Sequence, residues 1–246
     1  MSKAYGKMAE VYDRWMDGVD YAAWWRYLSD TFAIKPASRI LETACGTGNL
    51  TMEMSADGHQ VIASDLSPAM LAQAERKLRG RRNVRFLQLD MCELPVTLGR
   101  FDVIVTACDA VNYLSRPADV QRFFSCASEL LGNDGMLLFD VHGMGRVTQW
   151  SIAPYQNVVS PDSCDLWRAE LRSRSIFHHI TGFTKQDDGA WHRFDELHQQ
   201  RYYAVDELKG MLEAAGLRME AALAFHTTEP FGDESSRVQI CARLQR

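Results

Sequence analysis

Ile40-Leu41-Glu42-Thr43-Ala44-Cys45-Gly46-Thr47-Gly48-Asn49-Leu50 is the stretch that decides how this chain folds. An apolar run ends on a carboxylate, a Gly-x-Gly turn follows, and a helix-like segment begins. About 20 residues later Asp65 closes the next apolar run, Val61-Ile62-Ala63-Ser64. Strand, glycine turn, helix, strand and acidic end make a nucleoside-binding βαβ unit. Glycines let the backbone approach a ligand where a Cβ would collide. A carboxylate ending the second strand can accept hydrogen bonds from both ribose hydroxyls.

The loop is also defined by what it lacks. A dinucleotide site wants Gly-x-Gly-x-x-Gly, and Thr51 stands at the third glycine. A phosphate-cradling Walker loop wants Gly-Lys-Ser/Thr, and Asn49 follows Gly48. An acidic residue just before the turn repels phosphate but suits an amino group. A ligand with a ribose, an ammonium and no phosphate fits, and S-adenosylmethionine is such a ligand.

Outside the loop, alternating elements predict an α/β chain. Strands are expected at Arg39–Thr43, Gln60–Asp65, Val84–Leu89, Phe101–Thr106 and Met136–Val141. Ser67-Pro68 reads as an N-cap with proline at the first helical position, and that helix stops at Gly80. A further helix runs from about Pro117 to Leu131. This order predicts a mostly parallel Rossmann-like sheet with helices on both faces. Residues 155–204 lack a helical period and predict three or four antiparallel strands, turning at Asp187-Asp188-Gly189. A helix returns at Val205–Ala215, then strands at Leu217–Phe225 and Arg237–Arg243, the last entering the sheet antiparallel. The expected organisation is an N-terminal helical lid (1–35), a core (36–144 and 205–246) and an inserted antiparallel β layer (145–204). In the first segment Met8, Val11, Tyr12, Trp15 and Met16, then Tyr21, Trp24, Trp25, Tyr27 and Leu28, recur at helical spacing. Such density is either a core-packing face or a lid whose rings face a sulfonium.

Bulk properties narrow the function. The chain has 246 residues, 46% of them hydrophobic, as one large domain or a core with an insertion has. A net charge of −5 disfavours a nucleic acid wrapped by charge alone. No apolar run approaches the roughly 20 residues of a membrane span, and residues 1–20 carry no signal-peptide core. The six cysteines show neither C-x-x-C nor zinc-ligand spacing, which predicts a reducing cytoplasm, no disulfides and no metal.

Ligands of an open α/β sheet bind beyond the carboxyl ends of its strands. Five such ends here carry polar residues: Glu42, Asp65, Asp90, Asp109 and His142. Asp65 is expected to hold the ribose, and Asp90 with Met91 the adenine edge. Leu66 and Met70 would pack on the base. Glu42 and the backbone about Ala44, Cys45, Gly46, Gly48 and Cys108 would face the methionine part.

This constellation resembles the class I S-adenosylmethionine-dependent methyltransferases. The likeness rests on Leu41–Gly48, Ser64-Asp65-Leu66-Ser67-Pro68-Ala69-Met70-Leu71 and Leu89-Asp90-Met91. The family usually has Asp where Glu42 stands and often Gly where Ala44 stands. A narrower resemblance, carried by Cys108–Leu114, Phe139-Asp140-Val141-His142 and Arg193–Tyr202, is to bacterial methyltransferases of unassigned substrate. Their shape is similar to that of small-molecule N-methyltransferases acting on glycine or amino sugars. In those relatives a tyrosine in a Tyr-Asp pair approaches the methyl donor, and Tyr12-Asp13 matches it. Their β-rich insertion covers the acceptor pocket, which implies the same role for residues 145–204.

Methyl transfer is favoured mainly by alignment and water exclusion, but an amine or hydroxyl acceptor must also lose a proton. Tyr12, His142 and His198 are the catalytic candidates. Asn112, Tyr113, His142 and Arg201 are the candidates for touching a substrate. Phe194, Glu196, His198, Gln200 and Tyr202 share one strand face, which is either functional or merely solvated. His178 and His179 point opposite ways and receive no role. The expected partner is a small-molecule acceptor for N or O methylation, with no nucleic acid or membrane. A homodimer built on the insertion is a rival use of that layer. The rival functions are a nicotinamide-dependent oxidoreductase and an S-adenosylmethionine-binding regulator without turnover.

Overall fold

The computed structural model describes residues 9, 11–186 and 188–245. Met8 and Asp187, which the sequence reading places in a helix and a turn, lie outside the described residues. The first described elements are a four-residue helix α1 (Tyr12–Trp15) and α2 (Tyr21–Thr31). Asp20 caps α2, its carboxylate accepting from the Ala23 amide at 2.8 Å.

Five parallel strands follow: β1 (Arg39–Thr43), β2 (Gln60–Asp65), β3 (Val84–Gln88), β4 (Phe101–Thr106) and β5 (Leu131–His142). Helices α3 (Asn49–Ala56), α4 (Pro68–Lys77) and α5 (Pro117–Leu130) return the chain between β1 and β2, β2 and β3, and β4 and β5. Ser67 caps α4 ahead of Pro68, as its sequence foretells. The sheet order β3-β2-β1-β4-β5 reverses direction between β1 and β4, and such a switch point is where an open sheet leaves a crevice.

Beyond β5 the chain forms α6 (Met144–Ile152), where the sequence reading places no element. Gly143 and Gly145 allow it: a Cβ on either would fall within 2.0 and 2.3 Å of the Ser235 and Glu234 carbonyl oxygens. Next come β6 (Tyr155–Val159), β7 (Ser163–Arg172), β8 (Ser175–Lys185) and β9 (Trp191–Arg201), one antiparallel sheet of four strands. Helix α7 (Val205–Ala214), β10 (Leu217–Ala224) and β11 (Arg237–Leu244) complete the large sheet. Only β11 runs antiparallel there, between β5 and β10.

Each face of the large sheet buries its own apolar cluster. Phe123, Phe124 and Ala127 of α5 and Leu208 and Leu212 of α7 cover one face. Trp24, Trp25 and Leu28 of α2, with Leu50 and Met54 of α3, cover the other. Full burial of one such side chain contributes about 1.5–3 kcal/mol. The aromatic run in α2 is therefore largely a core-packing face.

Candidate functional site

The loop from β1 to α3 needs unusual backbone. Ala44, Gly46 and Gly48 all have positive φ, at 53°, 55° and 79°. Ala44 holds a conformation that suits glycine, the residue common there in the family it resembles. The two glycines differ in purpose. A Cβ on Gly46 would meet only Tyr12 Cε1, at 3.9 Å, so Gly46 opens onto the cleft. A Cβ on Gly48 would stand 3.1 Å from both Ala74 Cβ and Leu78 Cδ1, so Gly48 lets α3 approach α4. At Gly48 the glycine is thus required by helix packing, whatever its backbone offers a ligand.

Thr51 is wholly buried and its hydroxyl donates to the Glu42 carboxylate. Glu42 lines a cleft of about 310 Å³ with Tyr12, Tyr21, Gly46, Asn49 and Cys108. Among the described residues no cation pairs with it. Burial, with the Asp65 charge adding, pushes its carboxyl up to about 8. Asp65 sits beside it. Its Oδ2 accepts from the Gly46 amide at 2.8 Å and its Oδ1 from the Ser67 amide at 2.7 Å. These bonds aim both oxygens beyond β2 and leave lone pairs for two further donors. Burial raises the Asp65 carboxyl despite those amides.

Asp90 accepts from the Cys92 amide at 2.8 Å and opens a 3-10 turn (Met91–Glu93). Met70 is buried, whereas Leu66 is 63% exposed. Cys45 and Cys108 both stay thiols, raised chiefly by burial, Cys108 to about 12.

A strap crosses this cleft. Asp13 of α1 accepts from Thr47 Oγ1 at 2.6 Å and Asn49 Nδ2 at 3.1 Å, and pairs with Lys77 of α4 at 2.7 Å. The neighbouring Tyr12 hydroxyl is enclosed and held neutral, first by burial and then by Cys108, Tyr21, Tyr113 and Asp109 around it. Tyr21, absent from the sequence-based site, contacts Cys108 Sγ at 3.9 Å through its hydroxyl. Trp15 then ties the strap to the inserted sheet, its indole N–H donating to buried Asp165 and its ring stacking near Phe194.

The inner face of β9 meets the carboxyl end of β4. Gln200 Nε2 donates to Asp109 Oδ2 at 2.6 Å, and Gln200 Oε1 lies 2.9 Å from His142 Nε2 and 3.0 Å from His178 Nε2. His178, which sequence reasoning left without a role, belongs to this cluster. Arg237 of β11 bridges Asp109 and Asp140, each at 2.8 Å. Burial pushes Asp109 up, but opposing charge wins and holds it low. Burial lowers His142 and takes His178 down to about 4, so both are neutral at pH 7. Arg237 is then the cation that keeps Asp109 ionised. Among the described residues the His142 Nδ1 atom has no hydrogen-bond partner.

Asn112 is anchored at both ends: its Oδ1 accepts from the His142 amide at 3.0 Å and its Nδ2 donates to the Arg201 carbonyl at 2.7 Å. The Arg201 guanidinium pairs with Glu207 at 3.2 Å and lies over Tyr203. Tyr113 and His198 meet at 3.0 Å. Glu196, His198 and Gln200 do share a face, and it is covered rather than solvated: His198 and Gln200 are both buried. Arg237, Gln200 and Thr51 join Tyr21 and His178 among the members that sequence reasoning did not assign to the site.

A second cleft of about 420 Å³, lined by Arg39, Arg82 and Arg85, opens at the amino-terminal ends of β1–β3. It lacks the strand-end carboxylates. Among the described residues no group of His, Cys, Asp and Glu could hold a metal ion, and no helix is long and apolar enough to cross a membrane.

Comparison with known proteins agrees with this geometry. Residues 40–135 match the family model described as a methyltransferase domain. The chain is 33% identical over 231 residues to "Putative methyltransferase YqeM" of Bacillus subtilis (strain 168), covering 92% of each chain. An S-adenosylmethionine-dependent methyltransferase from Clostridium acetobutylicum ATCC 824 superimposes with a TM-score of 0.86 at 24% identity, over 98% of this chain and 99% of that one. CalS10, an amino pentose methyltransferase from Micromonospora echinaspora solved with S-adenosylmethionine bound, does so at 0.73 and 20% identity, over 99% of each.

Proposed function

Given that the chain belongs to the class I S-adenosylmethionine-dependent methyltransferases, we propose that it moves a methyl group to an N or O atom of a small-molecule acceptor held between the sheet's carboxyl end and the inserted β layer. The observation that carries this reading is Glu42. A buried carboxylate lining the cleft, held by one hydroxyl and raised to about 8, is electrostatically incomplete. An ammonium completes it. Asp65 beside it suits ribose hydroxyls, and Gly46 leaves room for the chain that joins them. The residues present thus fit S-adenosylmethionine, with Tyr12, Ala44, Cys45 and Cys108 about the methionine end and Leu66, Met70, Asp90 and Met91 toward the base.

When bound, S-adenosylmethionine supplies an activated methyl. The chain's own residues supply enclosure and orientation. Tyr12 and Tyr21 close the cleft from the strap, and Asp13 holds the strap down. The β9 face roofs the acceptor side through Gln200 and Asp109. His142, neutral and with Nδ1 unpartnered, is a hydrogen-bond acceptor available to a substrate donor. The amino pentose acceptor named for CalS10 supports an acceptor of similar size. It is consistent with the net charge of −5, which gives no electrostatic pull toward nucleic acid.

Calorimetry with S-adenosylhomocysteine and with NAD tests the donor. Binding of the first at about 1 μM, roughly −8 kcal/mol, and none of the second is expected; the reverse result rejects the site. S-adenosylhomocysteine release from S-adenosylmethionine, driven by a low-molecular-mass metabolite filtrate and not by the macromolecular fraction, tests the acceptor class.

A further inference from the structure

We infer that the arginine-lined cleft at the amino-terminal ends of β1–β3 is a second ligand site, which takes an oligophosphate: a short chain of linked phosphates, free or carried by a nucleotide. It stands apart from the donor cleft and does not depend on the acceptor reading above.

The chain concentrates positive charge here. Residues 66–89 hold Arg76, Lys77, Arg79, Arg81, Arg82 and Arg85 against the single carboxylate of Glu75, although the net charge of the whole is −5. Elsewhere the fold neutralises arginines closely. Asp119, Glu170, Glu207 and Glu220 each hold two of them. In the basic strip Lys77 pairs with Asp13. Among the described residues none of the five arginines there makes an ion pair or a hydrogen bond through its side chain. Guanidinium groups left together in this way repel one another and create a local field that an anion relieves.

The fold turns part of that strip into a cleft. In the parallel register Arg39 lies opposite Gln60, and Ile62 opposite Arg85. Residues two apart on a strand share a face, so Arg39, Gln60, Ile62 and Arg85 stand on one side of the sheet. Arg82 joins them from the turn that precedes β3. That turn is tied down: Asn83 Nδ2 donates to the Ser55 and His59 carbonyls at 2.9 and 2.8 Å, and the Asn83 carbonyl accepts from the Val61 amide at 2.8 Å. Arg39 is fixed as well. Its guanidinium donates to the Leu98 and Arg100 carbonyls and lies 4.7 Å from the centre of the Phe101 ring. Those two bonds leave it further N–H donors. Asp102 accepts from the Arg39 backbone amide at 2.8 Å, and among the described residues that line the cleft none is acidic.

The chemistry of the lining selects the ligand. At about 420 Å³ the space has the size of a small-molecule site. Three guanidinium groups around it exceed what one monovalent anion neutralises. Their planar forks bind phosphate oxygens in pairs, which suits linked phosphates better than a lone carboxylate. Arg76, Arg79 and Arg81 lie outside the lining and add to the attraction at range. The donor loop begins at the other end of β1, about 13 Å along the strand from Arg39. Both clefts can therefore be filled at once.

Calorimetry of the full chain with sodium tripolyphosphate in about 50 mM salt tests the site. Saturable binding is expected, unchanged within about threefold when S-adenosylhomocysteine is saturating. Arg82 and Arg85 are both exposed, and the double variant Arg82→Ser, Arg85→Ser should bind tripolyphosphate at least about 30-fold more weakly. Its S-adenosylhomocysteine affinity should stay within about threefold. Arg116→Ser with Arg122→Ser removes the same charge elsewhere and should change tripolyphosphate binding by less than about threefold. ATP distinguishes the sources. Affinity within about tenfold of tripolyphosphate assigns recognition to the phosphate chain alone, and tighter binding assigns it to a nucleotide. No binding at about 1 mM, competition by S-adenosylhomocysteine, or an equal loss in the two double variants overturns the assignment. So does a single-stranded oligonucleotide that binds more than about 100-fold tighter than tripolyphosphate, because the strip would then be a nucleic-acid contact.

Discussion

Replacing Glu42 with glutamine should make the ligand-free protein more stable and the ligand weaker. The side chain keeps its shape and can still accept from Thr51. What changes is the charge. In the unfolded chain the carboxyl titrates at its ordinary 4.5, whereas burial, chiefly, lifts it to about 8 in the fold. Below 4.5 both states are protonated and the group contributes no pH dependence. As pH rises from there the unfolded chain releases a proton that the folded chain keeps, so stability falls until the folded group ionises near 8. The gap is worth at most about 5 kcal/mol at 1.36 kcal/mol per pH unit, and less once side chains and water relax. Asp140 titrates in both proteins and cancels in the comparison, whereas Asp65, coupled to Glu42, is relieved in the variant and moves with it.

Glu42→Gln should therefore exceed the wild type by less than about 1 kcal/mol at pH 5 and by at least about 2 kcal/mol at pH 8. That is a melting-temperature rise of roughly 4–8 °C for a chain of this size. Denaturant and thermal unfolding without ligand measure it. Calorimetry with S-adenosylhomocysteine should show the opposite sign. Loss of a charged hydrogen bond weakens binding by about 1.5–3 kcal/mol. The wild type at pH 7 should release close to one proton per ligand, seen as a heat that varies with buffer ionisation enthalpy, and the variant none. Equal stability differences at pH 5 and pH 8, or unchanged affinity, would refute the assignment of Glu42 as the ammonium's partner.

Gly48→Ala should cost about 2–4 kcal/mol, from left-handed backbone strain and the 3.1 Å approach to Ala74 and Leu78; a neutral effect in chemical unfolding would show that α3 and α4 yield there. Asp65→Ala should weaken S-adenosylhomocysteine by roughly 1.5–3 kcal/mol, and equal binding by a folded variant would remove Asp65 from the site. His178, lowered to about 4 from 6.5 mainly by burial, is neutral in the fold, so its contribution is present above 6.5 and lost as pH falls toward 4. His178→Gln should remove up to about 3 kcal/mol of that acid-side loss; unfolding curves at pH 4.5 and 7 that shift equally would refute it.

The proposed donor half of the candidate site was legible because its residues lie within one βαβ unit and its neighbours. Glu42, Gly46 and Asp65 are set by local turn chemistry, and the pattern of an apolar run ending on a carboxylate is short-range. What the pattern could not say was which glycine served which purpose. Gly46 and Gly48 look alike in sequence, and only the position of α4 behind one of them separates ligand clearance from helix packing. Likewise α6 was hidden because its two glycines disfavour a helix by propensity, while a long-range contact with Ser235 and Glu234 requires them.

The cluster around Asp109, on the proposed acceptor side, was illegible for a reason of distance along the chain. Arg237 meets Asp109 across 128 residues and Gln200 meets Asp109 across 91. No periodicity links them. Arg201, chosen for its charge, lies three residues from His198, and odd spacing on a strand puts it on the opposite face. There its guanidinium pairs with Glu207. Arg237 takes the buried position because β11 enters antiparallel, pairing Arg237 with His142 at the carboxyl end of β5. The single reversed strand thus delivers a cation to the one edge where a parallel strand would deliver its last residue. That cation holds Asp109 ionised beside two neutral histidines. Replacing it with Met would leave the buried Asp140 and the part-buried Asp109 carboxylates without their cation, a loss of up to about 3–5 kcal/mol. The reversed strand therefore belongs to the electrostatics of the acceptor side as well as to the architecture of the sheet.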